Sequence, residues 1–489
     1  MRRRMFCKST VAAAVAMSLP ACGTKVSEGV SAVALSGEEL TLQKSAVQEL
    51  GDSLSGRLVL PDSAGYDSAR VVWNGMIDKR PALVAVCADA TDVMHAVTFA
   101  NDAGLLVAVK GGGHSFPGKS VCDGGMMIDL TSMHSVQVNI DDQTAVAGGG
   151  ALLGHLDTAT LAHNLITTTG IVSHTGVGGF TLGGGMGRTD RKFGLAIDNL
   201  LAADLVTADG QLRHVSADEN SDLFWAIRGG GGNFGIATSF TYRLHPFEPL
   251  IFGGNIVYPM DQAKDLLTYY AEYSTSLPDE ANVEPVLFVA PDGTPMITLE
   301  AFYAGDHKEA ALLFAPLRSF GSPVADDIGP LLYHTMQTKF DGAMGHGQQN
   351  YLKSGFLTEL TPAAIDAIVD NFDAEHISMS WFQHLGGQTA RVASDATAFP
   401  HRTMHSNFGI QGFWTDEAES EKRIAAIRKY YAAVEPHMNG FYTNLHEDTE
   451  KKTWGNYGGN YERLVDIKTR FDPGNLFRLN SNIKPNIAT

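Results

Sequence analysis

The run Lys110-Gly111-Gly112-Gly113-His114-Ser115 places a nucleophilic imidazole directly after a string of glycines. It follows the apolar stretch Leu105-Leu106-Val107-Ala108-Val109, which reads as a buried strand. Glycines there let the backbone turn sharply and approach a ligand closely. A second run, Gly176-Val177-Gly178-Gly179-Phe180-Thr181-Leu182-Gly183-Gly184-Gly185, lies downstream, and a third spans Gly229 to Gly232. Such loops present backbone amides to anions, so together they predict a large anionic cofactor. None fits GxxxxGKS/T, which excludes a P-loop. The Gly183-Gly184-Gly185-Met186-Gly187 stretch lacks the remainder of a dinucleotide fingerprint, which argues against a nicotinamide-binding domain. His114 at the tip of its loop adds the expectation that the cofactor is covalently attached.

These residues must be held by elements, and the pattern up to about residue 247 is α/β. Pro81 to Val86 reads as a strand, and Asp89 to Ala103 as a helix stopped by Gly104. Leu200 to Thr207 and Gln211 to Val215 read as a hairpin around Asp209-Gly210. From 248 to about 440, glycine runs thin out. Longer helical stretches such as Asp261 to Tyr273 and Asp416 to Val434 alternate with strand-like runs, which predicts an antiparallel sheet backed by helices. The fold class is therefore α+β, with an α/β cofactor domain (51–247), a substrate domain (248–440) and a C-terminal segment (441–489) returning to the first. Residues 24–50 read as a polar tether leading into a first helix.

With 489 residues, 44% hydrophobic and 18% charged, the chain can bury a large core. Its net charge of −18 argues against nucleic acid and against an anionic membrane surface. Arg2-Arg3-Arg4, a short apolar region from Val11 to Leu19 and small residues to Gly23 form a signal peptide (1–23). The apolar region is too short to span a bilayer. Arg3 to Lys8 resembles a twin-arginine export motif, which predicts a periplasmic or extracellular location. Leu19-Pro20-Ala21-Cys22 also resembles a lipoprotein box, with Cys22 as a candidate lipid anchor. Whether Cys87 and Cys122 pair is open at this point. No CxxC or HExxH occurs, so no zinc site is expected.

Lys110 to Leu130 resembles the FAD-binding segment of the vanillyl-alcohol oxidase/p-cresol methylhydroxylase superfamily. Within it, the chain is most similar to bacterial berberine-bridge-enzyme-like and 6-hydroxynicotine-oxidase-like proteins. The likeness continues through Thr169 to Gly179, Gly183 to Asn199, Phe224 to Phe240 and Asn460 to Asn480. It implies FAD bound through the 8α-methyl carbon to His114. It further implies FAD-binding roles for Lys110, Gly111, Gly112, Gly113, Ser115, Thr175, Gly176, Gly178, Gly179, Gly183, Gly184, Gly185, Asp198, Asn199, Ile236 and Asn480. Some members add a second bond from a cysteine at the position of Val172, so a single attachment is expected here.

The resemblance also implies a base, often the last tyrosine of Tyr-x-Asn-Tyr. Here that motif reads Tyr442-Thr443-Asn444-Leu445, so the usual base is absent. Tyr442, Tyr351 and His446 are the candidate catalytic residues, with Glu447 and His405 as substitutes and Lys353 as a pocket residue. Thr175 stands where a small side chain admits O2 in plant relatives, and Arg188-Thr189-Asp190 is expected to make the pocket entrance more polar. The implied reaction is hydride transfer from a small-molecule C–H bond to flavin N5, with O2 returning as H2O2. The alternatives are a dehydrogenase passing electrons to a quinone or redox protein, and a flavin-containing drug-binding protein.

Overall fold

The computed structural model describes residues 29–445 and 450–486. The expected leader with Cys22, and the candidate residues His446 and Glu447, lie outside the described residues.

Leu83–Val86, Met126–Asp129 and Val107–Lys110 form a parallel trio, with Arg57–Val59 antiparallel at one edge. Every residue of Leu83–Val86 and Met126–Asp129 is buried, as apolar strands covered on both faces require. The helix predicted after Asp89 forms as Ala90–Asp102. The Asp89 carboxylate accepts from the Thr91 and Asp92 amides, and Gly104 at φ +63° ends the helix. A five-stranded antiparallel sheet follows, containing the expected hairpin Leu200–Val206/Leu212–Ser216 around Gly210 at φ +71°.

Residues 29–50 are not a tether. Gly29–Val33 and Glu39–Gln43 pair as a hairpin, and Lys44–Ser53 is a helix. Ala32, Leu42, Val47 and Leu50 are buried against the first domain. The polar appearance came from the exposed alternate positions of two short edge strands.

The second domain is one eight-stranded sheet, antiparallel throughout. Helices Ala263–Tyr273, His307–Arg318, Pro362–Asp370 and Ser420–Val434 cover one face, where Leu266, Phe314, Ile365 and Tyr430 join Ile256, Leu299 and Phe408 in a core. The last of these helices starts later than the pattern suggested, because Asp416 caps a short turn over Glu417–Glu419 first. The other sheet face turns toward the first domain.

The helix Tyr461–Phe471 packs Leu464 and Ile467 against Phe234 and Phe240 of the first domain. Lys468 and Asp472 are fully buried one turn apart at its end. Lys468 Nζ donates to Asp472 Oδ2 (2.6 Å), Asn233 O (2.7 Å) and Phe477 O (2.9 Å), while Asp472 accepts the Leu476 and Phe477 amides. Such a pair is costly to break from one side, because the remaining ion is buried without its partner. Lys468→Met is expected to lower stability by about 3–5 kcal/mol, read as a reduced denaturant midpoint.

Cys87 and Cys122 are free, buried thiols, so they do not pair. Burial pushes the Cys122 thiol up to about 12. No described helix is long and apolar enough to cross a membrane.

Candidate active site

A large cavity opens between the glycine loops of the first domain, the uncovered face of the second-domain sheet and the C-terminal segment. Its first wall is backbone packed on backbone. A Cβ on Gly112 would lie 2.4 Å from the Gly176 amide nitrogen, and one on Gly176 would lie 2.2 Å from that of Gly112. Only glycine at both positions lets the two loops meet. Gly113 takes φ +69°, which swings the next residue, His114, into the cavity.

The His114 ring stacks on Trp73 with centroids 4.1 Å apart at 15°. Trp73 is itself fixed by its indole N–H donating to Met344 O at 2.6 Å. Burial, followed by the neighbouring His174 and His346, pushes His114 down to about 3. The imidazole is therefore neutral, and its buried Nε2 has no hydrogen-bond partner among the described residues. A neutral ring nitrogen on a rigid mount keeps a lone pair that can act as a nucleophile. Val172 lines the same cavity and offers no second nucleophile.

Of the expected cofactor residues, Gly111, Gly112, Gly113, His114, Ser115, Thr175, Gly176, Gly178, Gly179, Ile236 and Asn480 all line the cavity. A Cβ on Gly179 would meet nothing, so that glycine leaves room for a ligand. Ser120, Thr443 and Ser481 also line it, and each carries a buried hydroxyl without a partner among the described residues. Unsatisfied polar atoms around an apolar cavity with glycine walls fit a large polar cofactor such as FAD.

Several expected residues stand elsewhere. Lys110 turns away from the cavity, where Nζ pairs with Asp129 (3.3 Å) and donates to Ala69 O (2.9 Å). Asp198 forms a two-pronged pair with Arg402, at 2.7 and 2.9 Å, and closes its own turn through the Leu195 amide. Asn199 donates to the carbonyls of Phe193 and Leu195. Gly183, Gly184 and Gly185 lie behind the lining. A Cβ on Gly183 would strike Asn444, and the Gly185 amide donates to the Tyr442 hydroxyl at 2.9 Å. They shape the cavity by placing Tyr442.

The candidate bases fare likewise. Tyr351 is on the helix-covered face of its strand, where its hydroxyl accepts from Arg428 at 3.0 Å, with Lys353 beside its ring. Strand alternation gives the cavity side to its neighbour Leu352, which packs with Trp73. His405 hydrogen-bonds Ser274 and Ser406 away from the cavity. Tyr442 does line the cavity, but burial pushes its hydroxyl up to about 12. Its oxygen accepts from Gly185 N and Asn444 Nδ2, which leaves Tyr442 a hydrogen-bond donor rather than a base. Leu445 lines the cavity as an apolar residue.

Arg188, Thr189 and Asp190 are buried and form no entrance. Arg188 pairs instead with Glu300, which Lys339 also engages. Glu300 and its cross-strand neighbour Glu284 line the cavity from the sheet side, together with Trp381, Gln383 and Gln411. Sequence reasoning missed them. The available signal was the alternation Asn282, Glu284, Val286 against the core positions Ala281, Val283 and Leu287.

Residues 81–216 match the FAD binding domain family, and residues 442–484 match the berberine and berberine-like family. An FAD-linked oxidoreductase of Dictyostelium discoideum is 33% identical over 449 residues, which is 90% of this chain and 97% of the relative. The chain belongs to the berberine-bridge-enzyme-like FAD-linked oxidoreductases. (R)-6-hydroxynicotine oxidase of Paenarthrobacter nicotinovorans is 31% identical, covering 88% of this chain and 97% of that enzyme. The crystal structure of 6-hydroxy-D-nicotine oxidase from Arthrobacter nicotinovorans superposes with a TM-score of 0.80 at 29% identity, over 89% of this chain and 99% of that one. Like other members of this family, the protein is a two-domain FAD-dependent oxidoreductase. The glycine-walled cavity has the lining to hold that cofactor.

Proposed function

We propose that the protein is an exported oxidase whose FAD is held by one covalent bond to His114. The observation that carries this reading is the buried His114 ring, neutral and without a partner at Nε2 among the described residues, on a glycine turn at the cavity wall. Val172 in the second attachment position supports a single bond. When bound, FAD supplies hydride acceptance from a substrate C–H bond and reoxidation by O2 to hydrogen peroxide. The chain's own part is to hold and orient. Gly111 to Ser115 and Gly176 to Gly179 would let the cofactor approach backbone closely, the Tyr442 O–H is a donor at the cavity wall, and Met344, Met379 and Trp381 make that wall apolar. Covalent retention suits a location outside the cytoplasm, where lost flavin is not replaced.

The test needs no substrate. The purified holoenzyme is reduced anaerobically with dithionite and mixed with air-saturated buffer. An oxidase regains its oxidised flavin absorbance within seconds and releases one peroxide per flavin. Recovery over many minutes, accelerated only by an added quinone, would identify a dehydrogenase instead.

A further inference from the structure

With Leu445 apolar and Tyr442 held protonated, the cavity needs another proton acceptor. Two carboxylates among the described residues line it, Glu284 and Glu300. Glu300 is engaged by both Arg188 and Lys339, so its oxygens are committed. Glu284 differs. Asn282 Nδ2 and the His384 backbone amide both donate to Oε1, each at 3.3 Å, and Oε2 accepts no hydrogen bond among the described residues.

The sheet register places this carboxyl beside an apolar floor. Glu284 faces Glu300 across one strand pair, and Val286 faces Trp381 across the next. Glu284 and Val286 are two residues apart, so they share the cavity face. Trp381, Val286, Phe340, Met344, Met379 and Leu445 form the apolar surround. We propose that Glu284 receives, at Oε2, the O–H or N–H proton of the substrate, and that the substrate is an alcohol or amine carried on a flat apolar body. This rests on the flavin-oxidase reading above. The substrate loses two electrons as hydride from carbon to the bound flavin. The adjacent O–H or N–H bond gives its proton to Glu284, and the pair left behind closes a C=O or C=N bond.

The surroundings suit that task. Burial pushes the Glu284 carboxyl up to about 7, opposed by Arg188 and by the hydrogen bonds from His384 and Asn282. Asp190 and Tyr270 are near enough to feel its charge, and both are themselves driven toward their protonated forms by burial and by Glu284. His384 and the nearby His405 are held neutral by burial and by Arg191. A carboxyl poised near neutral pH can accept a proton and return it to solvent. Acceptance needs the ionised form, so it should strengthen as pH rises through about 7.

The probes are benzyl alcohol, which carries an O–H on a flat apolar body, and benzyl methyl ether, which lacks the donor. Each is titrated calorimetrically, without oxygen, into the dithionite-reduced holoenzyme, which cannot take a hydride, at about pH 5.5 and about pH 8.5. The alcohol is expected to bind at least about fivefold tighter at the higher pH, as a hydrogen bond to an ionised acceptor should, while the ether is indifferent to pH. Glu284→Gln should erase the alcohol's pH dependence and keep ether affinity within about twofold, while Glu284→Asp should retain the dependence. A pH-independent alcohol affinity in the wild type, retained dependence in Glu284→Gln, or failure of both probes to bind would each overturn the proposal. Because calorimetry reads binding rather than turnover, slow reoxidation of the flavin would overturn the oxidase reading alone.

Discussion

His114→Ala is expected to move the flavin from the acid-precipitated pellet to the supernatant. In the wild type the pellet should stay yellow, because acid unfolds the chain without cleaving a bond between imidazole and carbon. The imidazole is well placed for that bond. Its stack on Trp73 fixes the ring plane, and burial keeps it neutral, so a lone pair remains for attack. The same geometry says what the variant should not do. Among the described residues Nε2 has no partner to lose, and the ring stacks on Trp73, a contact worth about 0.5–1.5 kcal/mol beyond its area. The variant should therefore fold, with a melting temperature lowered by only a few degrees. A yellow pellet from the folded variant would place the attachment elsewhere. A colourless wild-type pellet would mean that no covalent bond exists.

Gly176→Ala is expected to be the most damaging single methyl in the site. The added Cβ would lie 2.2 Å from the Gly112 nitrogen and 2.8 Å from its Cα. Both obstacles are backbone, so no side chain can swing aside. Gly176 is also tied by a β-bridge to Leu152, and the next residue's amide donates to Ala151 O at 2.8 Å, which prevents a simple retreat. The loops must separate, at a cost of about 1–3 kcal/mol. In a His114→Ala background, where binding is reversible, flavin affinity should fall at least about tenfold, the equivalent of only about 1.4 kcal/mol. Gly179→Ala is the control. A Cβ there meets no protein atom, and the residue sits in the short helix Val177–Leu182. Stability should hold or rise slightly, since alanine suits a helix better than glycine. Flavin affinity should still fall, because Gly179 lines the cavity. Equal stability losses in Gly176→Ala and Gly179→Ala would remove the basis for treating the loop contact as backbone-limited.

Much of the architecture was legible along the chain, since period and punctuation are local properties. The Asp89-capped helix, the Asp209-Gly210 hairpin and the late helices of the second domain follow from spacing within about a dozen residues. The hairpin at 29–43 was not legible, because two five-residue strands at an edge expose half their side chains and read as polar.

For the site, the division follows the same physical line. The sequence by itself determined the loop with His114 after three glycines, and its resemblance to the family set the expectations at Val172 and Leu445. A backbone turn and the residue at its tip are encoded by neighbours. Only the tertiary structure decided which residues face the cavity and which support it from behind. Lys110 went to Asp129, Asp198 to Arg402 and Tyr351 to Arg428, while Glu284 emerged from an apolar strand as a cavity carboxyl. Desolvation and ion pairing arise between groups far apart in the chain, such as Arg188 and Glu300, so no local pattern records them.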